Sequence, residues 1–209
     1  CVEKKVLTAN LGKWGEVLWL FANGLDTAPV RKTDERAAVK SIGNSTTCPR
    51  DLVNNEDVRL VFTVLAESVA ARLRDYGLKC TGLQISLRDN QLYYATRQGL
   101  VAKPSYLSTD IINKAMELFL ANYNWFHPLR SIGIRALNLV TEKDHVQLSL
   151  FEDTDEKTKA QESLSHTIDT INSRFGHGSL IRASCLLDSR LTGFNPKEDH
   201  VIHPVGYFK

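Results

Sequence analysis

Between residues 40 and 144 the apolar side chains keep two different rhythms, and the order in which these alternate leaves few folds open. An apolar residue at every second position marks a strand with one buried face. Spacing near 3.6 residues marks a helix. KSIGNSTTC, residues 40–48, is short, β-branched and alternating, and Pro49 is expected to end it as a strand. Asn54 or Asn55 then caps a helix that carries Val58, Val61, Phe62, Leu65, Val69, Ala70 and Leu73 on one side and stops at Gly77. CTGLQISLR sets Leu83, Ile85 and Leu87 against Gln84, Ser86 and Arg88; Asp89-Asn90 turns the chain, and QLYYATRQG returns as a hairpin. Thr109 or Asp110 caps a second helix, IINKAMELFLANY, and Pro128 separates it from a last strand, SIGIRALNLVTE. The order is β-α-β-β-α-β. It predicts an α+β fold: a four-stranded antiparallel sheet with both helices on one face and the other face open.

The flanks read differently. Residues 1–30 place Leu11, Trp14, Leu18 and Phe21 or Ala22 at helical spacing, with Asn23-Gly24 and Pro29 as stop signals. Residues 31–39 are polar and non-periodic, a linker. Residues 40–144 form the compact unit. Residues 145–157 carry HVQLSLFEDTDEK, a short apolar peptide run directly into acids. Residues 158–209 form a tail with one helix, expected to bury Leu164, Ile168, Ile171 and Phe175 and to end at Gly176; SLIRASCLL beyond it reads as a strand or an extended segment. The chain opens on Cys1 and its one methionine is Met116, so it is expected to be a piece of a longer protein or a processed chain. No apolar run reaches the roughly 18 residues of a membrane span, and a cytoplasmic location is expected.

Enzyme signatures are missing from the sequence. No phosphate-binding glycine loop or nucleophile elbow occurs. Cys48, Cys80 and Cys185 make no C-x-x-C pair with each other or with Cys1, and His200 and His203 have no third ligand beside them, so no metal site is expected. No catalytic residue is assigned. The net charge of +2 is spread unevenly, with a mildly basic middle and a mildly acidic tail. What remains is the open sheet face. Lys40, Ser41, Ser45 and Thr47 on the first strand, Ser86 and Arg88 on the second, Thr96 and Arg97 on the third, and Arg130, Ser131 and Arg135 on the last are small, polar or cationic. Such a surface lets a phosphate come close to main-chain N–H groups and holds it without reading a base. Tyr93 and Tyr94 could stack on bases, but one of two neighbours on a strand must face the helices, and a packing role is expected.

These stretches resemble the C-terminal part of the Y-family, UmuC/DinB-like, translesion DNA polymerases. KSIGNSTTCPRD is similar to the start of that family's little-finger domain and RSIGIRALNL to its last strand. LGKWGEVLWLFANGLDTAPV is similar to the end of its thumb, and IDTINSRFGHGSLIRAS to the tail of some bacterial members. The likeness covers roughly residues 7–151. Many relatives carry an acid where Ser45 stands. The resemblance implies a little finger laid in the DNA major groove, gripping the template–primer duplex by its backbones through the residues above. It also gives the apolar peptide a role: Gln147, Leu148, Ser149, Leu150 and Phe151 match the motif by which bacterial polymerases dock on the sliding clamp, the beta subunit of the replicative polymerase. Leu150 and Phe151 would fill its pocket. The palm carboxylates that bind Mg²⁺ would lie before Cys1, so this stretch needs no cofactor and cannot extend a primer alone; its remaining partner is the rest of the polymerase chain. The alternatives are a clamp-bound adaptor whose palm has lost its acids, and an RNA-binding α+β module, which would need exposed aromatics on central strands.

Overall fold

A computed structural model describes residues 2–29, 39–141 and 155–196. The chain divides into two compact units, Cys1–Ala38 and Val39–Lys209. The first contains α1 (Lys4–Leu11) and α2 (Lys13–Ala22). Gly12 turns the chain between them with φ of 57°, and Gly15 lets α2 lie against α1, because a Cβ there would sit 2.1 Å from the Leu7 carbonyl oxygen. The two glycines of the Gly-Lys-x-Gly run are therefore a turn and a crossing. The helical spacing read in residues 1–30 belongs to this pair.

The second unit is built on β1 (Ile42–Leu52), α3 (Asn55–Asp75), β2 (Leu78–Asp89), β3 (Tyr94–Ser105), α4 (Ser108–Asn122) and β4 (Leu129–Thr141). The strand order is β1-β4-β2-β3 and every neighbouring pair is antiparallel. Each helix bridges two strands that are not neighbours. α3 leads from β1 to β2 across the gap that β4 fills, and α4 leads from β3 to β4 across the gap that β2 fills. The preference for right-handed crossovers then sets both helices on the same face. The α+β sheet with one covered face follows.

α3 starts where its cap predicts: Asn54 Oδ1 accepts from the Asp57 N–H at 2.8 Å. Its buried side, with Val58, Val61, Phe62, Leu65, Val69 and Leu73, meets Ile111, Ala115 and Phe119 of α4 and the inward side chains Leu83, Ile85, Leu87, Ile132, Ile134 and Ala136 of the sheet. Phe62 and Phe119 meet edge to face at 6.4 Å. α4 starts differently from expectation. Neither Thr109 nor Asp110 caps it; Leu107 is the N-cap residue, and Ser105 Oγ accepts from the Leu107 N–H at 3.0 Å while donating to Asp110 Oδ2. Pro49 does not end β1 either. The strand continues to Leu52 through a register shift after Thr47, which an edge strand tolerates because its outer N–H groups need no partner.

The tail belongs to this unit. α5 (Asp155–Phe175) docks by a polar side: Arg74 Nη2 donates to Asp169 Oδ1 at 2.8 Å, Lys79 Nζ meets Glu162 at 3.1 Å, and His166 Nε2 lies 3.5 Å from the Tyr106 hydroxyl. The expected apolar stripe docks only in part: Ile168 and Ile171 are half-buried, whereas Leu164 and Phe175 are 59% and 66% exposed. Ala183–Leu187, expected to be extended, is a 3₁₀ helix, and α6 (Ser189–Thr192) follows. This last stretch buries Cys185 and Leu191. The linker expected at residues 31–39 lies outside the described residues except for residue 39. So does most of the peptide at 145–157, including Gln147, Leu148, Ser149, Leu150 and Phe151, and so do residues 197–209.

Candidate nucleic-acid interface

The strand registers arrange the uncovered face into three rungs that run across all four strands. Gly43, Arg135, Gln84 and Gln98 form one. Ser45, Gly133, Ser86 and Thr96 form the middle one. Thr47, Ser131, Arg88 and Tyr94 form the third. Each of these residues is two positions from the next on its own strand, so all share one face. The intervening residues on the two central strands, Leu83, Ile85, Leu87, Ile132 and Ile134, are buried beneath the helices. Small residues make the middle rung low. A Cβ on Gly133 would stand 2.6 Å from Ser86 Oγ and 2.7 Å from Ser45 Cβ, so the three close-packed residues leave no room for a larger one.

The result is a shallow polar trough of about 520 Å³ lined by Gly43, Asn44, Ser45, Gln84, Ser86, Tyr94, Thr96, Ile134 and Arg135, with Arg72 reaching in from α3. No carboxylate is among these residues. Arg88 and Arg135 are exposed, and among the described residues neither has an acid within ion-pair distance. Two unpaired guanidinium groups on a face of hydroxyls and amides make a surface suited to anions.

Of the residues expected to contact a polyanion, Ser45, Thr47, Ser86, Arg88, Thr96, Ser131 and Arg135 are brought together on this face. Ser131 is already engaged, its hydroxyl donating to the Thr46 carbonyl at 2.8 Å. Lys40 and Ser41 come just before β1 and occupy no rung. Arg130 sits at the β4 register shift and faces Asp51 at 3.5 Å, so its charge is partly answered. Arg97 is on the other side of the sheet. It pairs in register with the buried Ile85, and its Nε donates to Asn122 Oδ1 of α4 at 3.1 Å. The correction is one of alternation: Thr96 and Arg97 are adjacent and cannot share a face.

Tyr93 and Tyr94 need a correction too. Neither packs inward; they are 70% and 61% exposed. Tyr93 precedes β3, so strand alternation does not govern it, and Tyr94 opens the strand on the uncovered face opposite Arg88. Three contributors were not foreseen. Gln84 and Gln98 were readable, being two residues from Ser86 and Thr96. Arg72 was not, because a helical residue gives no sign that it rounds a sheet edge. Its Nη2 donates to the Gly43 carbonyl at 2.8 Å, while its Nε is buried without a partner among the described residues. Burial holds this guanidinium below the ordinary arginine value.

The thiols are inert in this setting. Burial pushes Cys48 and Cys80 up to about 11 and raises Cys185 as well. Among the described residues no group of three or more His, Cys, Asp or Glu side chains gathers to hold a metal.

Comparison with known proteins gives a consistent picture. The impB/mucB/samB family C-terminal domain matches residues 39–150. A DNA polymerase IV of Acetivibrio thermocellus is 45% identical over 189 residues, which is 90% of this chain and 47% of that protein. DNA polymerase IV 2 of Bacillus subtilis is 33% identical over 181 residues, 83% of this chain and 42% of that protein. A DNA polymerase IV of Clostridium acetobutylicum is 30% identical over 186 residues, 88% and 45% of the two chains. The chain thus spans a little under half the length of these curated relatives.

Proposed function

The chain belongs to the impB/mucB/samB family by its C-terminal domain, and from that membership we propose that it is the DNA-holding part of a translesion DNA polymerase. The uncovered sheet face grips the duplex arm of a template–primer by its phosphates. The polymerase chemistry and its Mg²⁺ belong to the palm of the same protein, which the longer relatives have room for. The peptide Gln147–Phe151 ties the assembly to the sliding clamp.

The observation that carries the reading is the middle rung. Ser45, Gly133 and Ser86 are packed so closely that the sheet surface there is nearly bare main chain, and Arg88 and Arg135 stand unpaired on the rungs to either side. Phosphates can approach such a surface closely, and it offers little that could distinguish one base pair from another. That suits a protein that must follow any sequence. Relatives named DNA polymerase IV support the same assignment.

The test is duplex binding by the chain across a range of salt concentrations. Affinity is expected to fall linearly on a log–log plot, by about 0.9 per phosphate neutralised, and to be alike for duplexes of unrelated sequence. A flat salt dependence, or strong preference for one sequence, would remove the proposal.

A further inference from the structure

The trough contains a cation that does not come from the sheet. Arg72 is near the C-terminal end of α3, on the covered side, yet it lines the open face together with Ser45, Gln84, Ser86 and Arg135. β1 is the edge strand, so the side chain reaches this face by rounding that edge. It is pinned there by one hydrogen bond, from Nη2 to the Gly43 carbonyl at 2.8 Å. Gly43 itself is closely packed against β4. A Cβ at that position would meet Arg135 Cβ and the Ile134 carbonyl oxygen, each at 2.9 Å.

This arrangement is incomplete as it stands. The Arg72 Nε is buried and donates to nothing among the described residues. Among the described residues no carboxylate pairs with the guanidinium; other than burial, the group affecting it is the Tyr76 phenol. A half-buried cation without an acid is costly, and proteins keep one where a ligand supplies the missing negative charge. The Nε is out of a ligand's reach, so the donors that an arginine held by one arm leaves for an oxyanion are those of its terminal nitrogens.

We propose that Arg72 is a phosphate-binding residue of the DNA face: it delivers a charge from behind the sheet, over the β1 edge, and with Arg135 binds a backbone phosphate at the Gly43 end of the trough. The inference rests on the DNA-holding role proposed above. It adds a third unpaired arginine to Arg88 and Arg135, and sets it where one DNA strand passes the β1 edge rather than over the sheet centre.

The experiment compares Arg72→Gln, Arg72→Lys and, as a control for net charge, Arg59→Gln on the exposed side of the same helix. Each is titrated with a mixed-sequence duplex over a salt series. Arg72→Gln is expected to bind several-fold more weakly at low salt, with a log–log slope shallower by about one. Arg72→Lys should keep the wild-type slope while losing part of the affinity, and Arg59→Gln should leave the slope unchanged. A purely structural Arg72 would lower affinity without changing the slope. In parallel, the Arg72 Nε–H resonance of the wild-type chain is followed during duplex addition, a readout that does not depend on any variant folding. It is expected to shift. An unchanged slope in Arg72→Gln, or an unmoved Nε–H signal while the wild type binds duplex, overturns the assignment and leaves the sheet-face reading intact. A wild-type chain that binds no duplex removes both.

Discussion

Arg50 of β1 and Asp188 at the start of α6, 138 residues apart in sequence, meet at 2.8 Å between Nη2 and Oδ2. The same guanidinium grips Asp57 in the first turn of α3 with both arms, at 2.7 and 2.8 Å. One edge-strand arginine thus ties together the sheet, the first long helix and the tail. Around it, Arg182 bonds Glu67 and Ser108, and Asn44 Nδ2 reaches the Pro196 carbonyl at 3.2 Å. Cys185 and Leu191 are buried beneath this ring of polar ties.

Cutting that tie should loosen the tail before it loosens the sheet. In Asp188→Ala the α6 cap is lost as well, because Asp188 Oδ1 accepts from the Arg190 and Leu191 N–H groups. Cys185 is the reporter. Peptide-mapped thiol labelling under native conditions is expected to modify Cys185 faster in the variant, while Cys48 and Cys80 stay protected in the main core. Equal protection of all three thiols would show that residues 183–196 do not depend on this contact.

Acid should act on the same junction. The Arg50 hydrogen bond holds the Asp57 carboxyl below the ordinary aspartate value of 3.8, and holds Asp188 below it as well. A depressed carboxylate contributes its stability in full above the unfolded value. The contribution fades as pH falls from that value through the folded one. Thermal melts should therefore show Arg50→Gln less stable than wild type at pH 7. The gap should narrow once the pH drops below about 4, where the unfolded carboxylates begin to take up protons. A gap that stays constant down to pH 2 would mean that the loss in Arg50→Gln comes from packing and not from charge.

Much of this architecture was legible in the sequence, because its determinants are local. Leu83, Ile85 and Leu87 alternate strictly, and Asn54 precedes a long apolar stripe. Side-chain direction then follows from strand geometry alone, and it placed Ser45, Ser86 and Arg135 on one face. What was illegible depends on partners distant in sequence. α5 docks through ion pairs of the half-buried Asp169 and Glu162 with Arg74 and Lys79, so hydrophobic spacing found Ile168 and Ile171 but not the contacts that hold the helix. Pro49 reads as a terminator unless β1 is known to be an edge. Arg72 reads as a solvent-facing helical arginine unless the strand it rounds is known. Arg97 is a different case, since alternation with Thr96 already excluded it from the open face.

The middle rung should tolerate no side chain at Gly133. Gly133→Ala puts a methyl group where Ser45 Cβ and Ser86 Oγ already stand. The serine hydroxyl can rotate away, but the Ser45 Cβ cannot. Overpacking of this kind costs about 1–3 kcal/mol, measurable by urea unfolding. The double variant Gly133→Ala with Ser45→Gly removes the closest unyielding contact, leaving the Asn44 carbonyl oxygen at 3.1 Å, and is expected to recover part of the loss. Failure to recover would mean that the backbone at Gly133, and not the crowding, sets the requirement.

The peptide after β4 is proposed to work independently of the sheet. Leu150→Ala with Phe151→Ala removes both side chains expected to fill a hydrophobic pocket, and anchors of this kind dominate small interfaces. Binding to a sliding clamp, followed by surface plasmon resonance, should be lost, and the duplex affinity of the same variant should match wild type. Retained clamp binding would discard the motif without touching the DNA face.

The sharpest test of which face binds DNA compares two arginines on β4 and β3, two strands of one sheet with β2 between them. Arg135 stands on a central strand beside Gln84 and Gly43 and points to the open face; Arg97 stands on β3 in register with Ile85 and is bonded to Asn122 on the helical face. Either substitution to Gln removes one positive charge, so long-range attraction falls equally in both. Only Arg135 can neutralise a phosphate lying along the rungs. Arg135→Gln is therefore expected to make the log–log salt slope shallower by about one and to weaken duplex binding at every sequence tried. Arg97→Gln should change affinity slightly through net charge and leave the slope where it was. If the two variants exchange these outcomes, the duplex lies on the helices. If both lower the slope equally, the charge of the domain acts as a diffuse field, and the rungs have no part in holding the strand.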